Sequence, residues 1–250
     1  MRQGWDWAKE VSPSEKILMI IPAYNEETEI TSVIQGIRRY FPEGEVLVVD
    51  DGSDDGTPHK ATEAGGKVLS HPFNLGYGTA LQTGYKYALI KGYEAVIQMD
   101  GDGQHDPSFI PDLIAVIQKE ETDIAIGSRF LTGAGRFDPS IYRAPLIRKL
   151  GMRFFGTVTS LIIRQKISDP TSGYQAMNRK VLEWVSSDKF PCDYPDADVI
   201  IMLHRAGFRI REIPVRMFPN QNKKSMHSGW KPLYYIFKMF LSILVTLMRK

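Results

Sequence analysis

Asp100 and Asp102, two carboxylates one residue apart, close an apolar run at residues 95–99 and lead into Gly103, Gln104, His105, Asp106 and Pro107. The run reads as a buried strand, and strand alternation sends both aspartates to the same side at its exit. Gly101 and Gly103 let the backbone turn there. Hard oxygen ligands at the carboxyl end of a buried strand suit Mg²⁺ or Mn²⁺ holding a diphosphate. Taken alone, the same residues also suit a solvated acidic turn capping a helix after Pro107.

The elements that must position these groups come from apolar periodicity. Residues 17–23 and 45–51 read as buried strands, the first leading into Pro22-Ala23-Tyr24-Asn25-Glu26-Glu27 and the second into residues 50–57. An aspartate at a strand end can accept from a nucleobase N–H or a ribose hydroxyl, and an aromatic such as Tyr24 can cover the base. Asp54, Asp55, Gly56 and Thr57 read as turn and helix-cap chemistry. Ile30, Val33, Ile34 and Ile37 recur at helical spacing and predict an amphipathic helix over about 26–40.

Strand and helix then alternate. A helix after Gly56, a strand at 67–70, a helix over 79–91, the strand at 95–99, a helix after Pro107 and a strand at 123–127 are expected. This order predicts an α/β fold, a mostly parallel sheet with helices on both faces and ligands beyond the carboxyl ends of its strands. All three polar clusters fall at those ends. Further on, residues 143–164 carry a long apolar-basic helical pattern, 196–206 a short helix and 208–217 a strand. We expect one catalytic domain over 1–228 and a C-terminal appendage over 229–250.

Composition narrows the partners. The chain has 250 residues and a formal charge of +2, which gives no electrostatic case for nucleic acid. From Arg211 onward, however, Arg211, Arg216, Lys223, Lys224, Lys231, Lys238, Arg249 and Lys250 face a single acid, Glu212. That excess suits a phosphate-bearing substrate or a membrane surface. The one cysteine, Cys192, excludes an intramolecular disulfide and a multi-cysteine metal site, and suits a reducing compartment. The N-terminus lacks the apolar core of a signal peptide. No Gly-x-Gly-x-x-Gly follows the first strand and no Walker-type Gly-Lys-Ser/Thr occurs, which disfavours a dinucleotide enzyme or a P-loop NTPase.

Six motifs in order now carry a resemblance: residues 21–27, residues 50–57, Asn74-Leu75-Gly76-Tyr77-Gly78-Thr79-Ala80, residues 99–107, Gly127-Ser128-Arg129-Phe130, and Ser168-Asp169-Pro170-Thr171-Ser172-Gly173-Tyr174. Together they resemble the inverting glycosyltransferases of family 2, with the GT-A nucleotide-sugar fold. The dolichyl- and polyprenyl-phosphate sugar transferases are the branch most alike. The resemblance implies that Pro22, Tyr24, Glu26 and Asp51 line the nucleoside pocket. It implies that Asp100, Asp102 and Gln104 hold Mg²⁺ or Mn²⁺ on the diphosphate, Asp100 also contacting the nucleotide sugar. Gly76 and Gly78 would let the backbone pass close to the nucleotide. Arg129 would face the acceptor phosphate or the donor diphosphate, its plainer reading being a surface ion pair. Asp169 would sit in the acceptor-side loop, and Asp198 or Asp196 would be the helix-start acid. The branch usually places an arginine before a Gly-x-Ser-Lys-like segment; residues 219–225 have none, which leaves Lys223 and Lys224 as point charges for the acceptor phosphate. His105 reads as a solvated loop histidine.

The C-terminal segment is apolar from Leu233 to Met248, interrupted by Lys238, about 16 residues. A spanning helix needs about 20. Trp230 with two tyrosines at one end and Arg249-Lys250 at the other resemble interfacial anchors. A helix lying in the membrane surface or docked on a small membrane protein is expected; burial on the catalytic core or in a homo-oligomer interface is the alternative. Residues 1–16, with Trp5 and Trp7, would pack on the core or the membrane surface.

The resulting expectation is a metal-dependent inverting transferase, peripheral on the cytoplasmic membrane face. It would move a hexose or N-acetylhexosamine from a nucleoside diphosphate sugar to a polyprenyl phosphate. The alternatives are a family 2 transferase extending a cell-surface glycan at a sugar hydroxyl, and a non-catalytic nucleotide-sugar-binding subunit of a membrane complex.

Overall fold

The structure is a computed structural model and describes residues 17–131, 146–188, 190–191, 195–219 and 231–248. Its strands are β1 (Ile17–Ala23), β2 (Glu45–Asp50), β3 (Lys67–Ser70), β4 (Ala95–Gln98), β5 (Ile124–Ser128), β6 (Gln175–Asn178) and β7 (Ile210–Pro214). They form one seven-stranded sheet in the order β3-β2-β1-β4-β6-β5-β7. Pairings among β1, β2, β3 and β4 are parallel, as is β5 with β7. Strand β6 runs antiparallel to both neighbours, β4 and β5. The mostly parallel sheet is therefore present with one reversed strand, and that strand was not expected. Gln-Ala-Met-Asn offers two apolar residues in four, too little pattern to mark a strand.

The helices are α1 (Ile30–Tyr40), α2 (Thr57–Glu63), α3 (Tyr77–Lys91), α4 (Ile110–Gln118), α5 (Leu146–Ile163), α6 (Arg179–Val185), α7 (Ala197–Arg205) and α8 (Lys231–Met248). Two apolar layers follow from strand alternation. Leu18 and Ile20 of β1 face a core with Leu81 and Tyr85 of α3 and Leu182 of α6. Met19 and Ile21 face the other, with Ile34 and Ile37 of α1 and Leu113 of α4. On α1, Ile30, Val33, Ile34 and Ile37 are all buried, as their spacing requires. Each such side chain contributes roughly 1.5–3 kcal/mol of burial. This helix starts at Ile30 rather than near 26, because the preceding turn is stitched to the β2–α2 loop. The Glu26 N–H donates to Thr57 Oγ1 (2.8 Å) and the Glu27 N–H to Asp55 Oδ2 (3.3 Å).

Helix α8 packs one face on α7, burying Met239, Ile243 and Thr246. Arg205 donates to the Thr246 carbonyl at 2.8 Å. The opposite face leaves Phe240, Leu241, Leu244, Val245, Leu247 and Met248 exposed. Among the described residues, no helix is long and apolar enough to cross a membrane.

Candidate active site

The parallel strands deliver three polar loops to one edge of the sheet. At the end of β1, Pro22 is buried in the strand, Tyr24 is 43% exposed, and Asn25 adopts a left-handed φ of 57°. The Asn25 N–H donates to Ser53 Oγ (2.9 Å), and its Oδ1 accepts from the Asp54 N–H (2.9 Å). Asp55 accepts from the Thr57 N–H at 2.9 Å in the turn that leads into α2, whose N-cap is Gly56. Residues 54–57 thus do the turn and cap work expected of them, and they also hold the Tyr24 loop.

Asp51, beyond β2, is buried and multiply engaged. Its Oδ1 accepts from the Leu75 N–H (2.9 Å) and its Oδ2 from the Gly76 N–H (2.8 Å). His71 Nδ1 lies 2.7 Å from Oδ1, and its Nε2 is 3.0 Å from Thr83 Oγ1. This clasp fixes the loop that opens α3. Gly76 sits there at φ 99°, where a side chain would be strained, and Gly78 is buried in the first turn of α3.

Beyond β4, Asp100 keeps 30% of its side chain exposed. Tyr77 donates its hydroxyl hydrogen to Asp100 Oδ1 at 2.8 Å. An ideal Cβ on Gly173 would lie 2.9 Å from both Asp100 carboxylate oxygens and from the Tyr77 hydroxyl oxygen, so a side chain there would displace them. Asp102 accepts from the Gln104 N–H (3.0 Å) and from Gln104 Nε2 (2.5 Å). Burial raises the pKa of Asp100, and burial together with the Asp100 charge raises that of Asp102. Glu26 is pushed up to about 7, first by burial and then by Asp102 and Asp100. These three carboxylates crowd one another without a lysine or arginine in ion-pair contact among the described residues.

His105 corrects the expectation of a solvated loop residue. It is buried and stacks on Tyr174 with centroids 5.0 Å apart. Burial lowers its pKa to about 4, so the ring is neutral. Its Nδ1 accepts from the Asp100 N–H (3.2 Å), which leaves the proton on Nε2, 3.6 Å from Asp100 Oδ2. That contact is therefore not an ion pair at neutral pH. Tyr174 arrives from 69 positions downstream, which no local sequence signal discloses.

The donor set fits a divalent cation. Two or three crowded carboxylates, with no lysine or arginine in ion-pair contact among the described residues, are what such an ion neutralises. Among the described residues, no group of three or more His, Cys, Asp or Glu is placed to hold a metal ion by itself. Asp100 and Asp102 would need oxygens from a ligand and water to complete a coordination sphere, the usual mode for Mg²⁺ on phosphates.

The other side of the site is built differently. Arg129, after β5, is buried and grips Asp169 through Nε to Oδ2 (2.6 Å) and Nη2 to Oδ1 (3.0 Å). The pair is internal, not the surface ion pair considered above. Behind it, Glu212 accepts from the Ser168 N–H (2.9 Å) and the Asp169 N–H (2.7 Å). At the start of α7, Asp198 is buried. Its Oδ1 accepts from the Asp196 N–H (3.1 Å) and the Val199 N–H (2.9 Å), and its Oδ2 from Ser242 of α8 (2.5 Å). Asp196 is partly exposed, and its charge acts on Tyr77. Lys223 and Lys224 lie outside the described residues, as do residues 1–16, Trp230, Arg249 and Lys250.

Tyr77, His71, Glu212 and Ser242 are groups to which the sequence reading gave no role, and His105 is one that it placed in solvent. Only Tyr77 and His105 carried a signal, by adjoining Gly76 and the Asp100–Gln104 run.

A family model described as glycosyl transferase family 2 matches residues 19–185. Polyprenol monophosphomannose synthase from Mycolicibacterium smegmatis is 29% identical over 229 residues, covering 88% of this chain and 83% of that one. A UDP-N-acetylglucosamine–dolichyl-phosphate N-acetylglucosaminyltransferase from Methanococcus voltae is 28% identical over 253 residues, covering 94% and 97%. Among solved structures, glucosyl-3-phosphoglycerate synthase from Mycobacterium tuberculosis in complex with Mn²⁺ and UDP-glucose matches with a TM-score of 0.67 at 21% identity. That match covers 98% of this chain and 84% of the synthase. The synthase's complex with phosphoglyceric acid gives a TM-score of 0.71, also at 21% identity, covering 98% and 85%. At such identity the likeness establishes the fold, which is GT-A. The family match spans more than half of the sequence: the chain belongs to glycosyl transferase family 2.

Proposed function

We propose that this transferase moves a hexose or N-acetylhexosamine from a nucleoside diphosphate sugar to a polyprenyl phosphate, inverting the anomeric centre, at the cytoplasmic face of a membrane. The observation that carries the donor half is the un-neutralised trio Glu26, Asp100 and Asp102 at the carboxyl ends of β1 and β4. Asp100, Asp102 and Gln104 would hold Mg²⁺ or Mn²⁺, which supplies Lewis-acid stabilisation of the departing diphosphate. Pro22, Tyr24, Asp51, Gly76 and Gly78 would shape the nucleoside side, Asp51 by fixing the Leu75–Gly76 backbone.

The acceptor half draws on relatives that act on polyprenol or dolichyl phosphate. A phosphate acceptor is an anion at neutral pH and attacks without a strong base. Asp196 would orient it or take a proton. Asp198, with its oxygens occupied, holds the start of α7 against α8. Arg129 and Asp169 brace the acceptor-side loops, and Lys223 and Lys224 would meet the phosphate. The exposed apolar face of α8 supports contact with a membrane surface or a small membrane protein, with residues 229–250 as the appendage and 1–228 as the catalytic unit.

The test is incubation of purified protein, Mn²⁺ and polyprenyl phosphate with a panel of radiolabelled nucleotide sugars, counting label in the organic phase. Metal-dependent, mild-acid-labile label in lipid is the expected result. Transfer only to soluble glycan hydroxyls would overturn the lipid acceptor, and binding without any transfer would overturn catalysis.

A further inference from the structure

Behind Asp100 lies a chain of hydrogen bonds with one direction. Tyr85 donates its hydroxyl hydrogen to Gln98 Oε1 (2.5 Å), Gln98 Nε2 donates to the Tyr77 hydroxyl oxygen (3.0 Å), and Tyr77 donates to Asp100 Oδ1 (2.8 Å). Because Gln98 fills the acceptor side of the Tyr77 oxygen, the Tyr77 hydrogen has Asp100 as its outlet. Tyr85 and Gln98 are buried, which fixes the chain sterically. The position of Tyr77 is set in turn by the Asp51 clasp, which holds the residue before it.

Every partner in this chain is uncharged. By contrast, Asp106, Asp123 and Asp169 are each paired with an arginine: Arg216, Arg209 and Arg129. A neutral donor orients a carboxylate and leaves its full negative charge for an incoming cation, whereas a guanidinium would compete with that cation. We propose that Tyr77, aimed by Gln98 and Tyr85, is the positioning residue that sets the affinity of the Asp100 site for a divalent cation. The inference rests on the reading of Asp100 as a metal ligand.

The test is a titration of the full chain with Mn²⁺ alone, followed by the electron paramagnetic resonance signal of the free ion, alongside thermal unfolding without metal. Tyr77→Phe removes one oxygen and is expected to raise the Mn²⁺ dissociation constant about tenfold, the low end for outer-shell partners of metal ligands. Tyr85→Phe releases only the far end and is expected to raise it roughly threefold, a lesser loss of the same kind. If Tyr77→Phe does not fold, Tyr85→Phe carries the test. Wild-type binding with unchanged affinity in the folded variants would overturn the inference alone, as would a change in melting temperature with no change in affinity. Failure of the wild-type chain to bind Mn²⁺, both alone and with UDP added, would overturn the metal reading and the inference with it.

Discussion

The carboxylates at the carboxyl ends of β1 and β4 and the aspartates Asp123, Asp169 and Asp198 around β5 and α7 are held in different ways. Glu26, Asp100 and Asp102 crowd together with no lysine or arginine in ion-pair contact among the described residues; burial lifts all three pKa values, and repulsion adds to it at Glu26 and Asp102. Asp169 and Asp123 are locked to Arg129 and Arg209, and Asp198, whose pKa burial also raises, accepts from two backbone N–H groups and Ser242. The difference separates two uses of one residue type. A carboxylate engaged by an arginine or by several protein donors builds frame, and one crowded against other carboxylates with open oxygens waits for a charged ligand.

The largest expected effect breaks the first group. Asp100→Asn or Asp102→Asn should cut turnover about a thousandfold, the scale of losing a preorganised electrostatic contact to the leaving group. Urea unfolding of either variant should show stability unchanged or raised, because like charges are removed from one site. A marked loss of stability would place these aspartates with the frame instead.

Breaking the second group should do the reverse. Arg129→Met strands Asp169 as a buried charge and should destabilise the fold by about 3–5 kcal/mol in urea unfolding. A mild loss, below about 1 kcal/mol, would place the pair with exposed ion pairs.

The start of α7 sharpens the comparison, because the partly exposed Asp196 and the buried Asp198 lie two residues apart there. Asp196→Asn should lower turnover about tenfold or more with little change in melting temperature, the range of a proton-handling or orienting group. Asp198→Asn should lower stability by about 1–3 kcal/mol, since the amide cannot reproduce all three acceptor contacts. Exchange of these two phenotypes would reassign the acid to Asp198.

The smallest effect is a pH dependence. Arg209 holds the Asp123 pKa down at about 2, from an ordinary 3.8. A depressed folded value contributes stability above the unfolded pKa and loses it as pH falls. Between about pH 4 and pH 2, Asp123 should therefore cost the fold roughly 1–2 kcal/mol, and Asp123→Asn should flatten that part of the acid-unfolding curve. An unchanged curve in the variant would remove Asp123 from the frame.

Much of the fold was legible because its parallel strands are continuous apolar runs ending in turn chemistry. Ile17–Ala23 and Lys67–Ser70 appear at the expected bounds, and α1 buries the four residues its periodicity marked. Strand β6 was illegible because its pairing with β4 and β5, not its own composition, makes it a strand. His105 was misread for a similar reason. A histidine in a Gly-Asp-Gly-Gln context looks solvated until Tyr174 covers it.

The sequence by itself determined the family, the sheet's alternation and the loops that carry the acidic residues, because local periodicity and turn residues encode these. The tertiary structure alone decided which acids stay un-neutralised. Arg129, Arg209 and Arg216 lie 40, 86 and 110 residues from the aspartates they pair with. Tyr77 reaches Asp100 across 23 residues. Charge compensation acts through space over a few ångströms, so only the packed chain assigns each carboxylate to frame or to site.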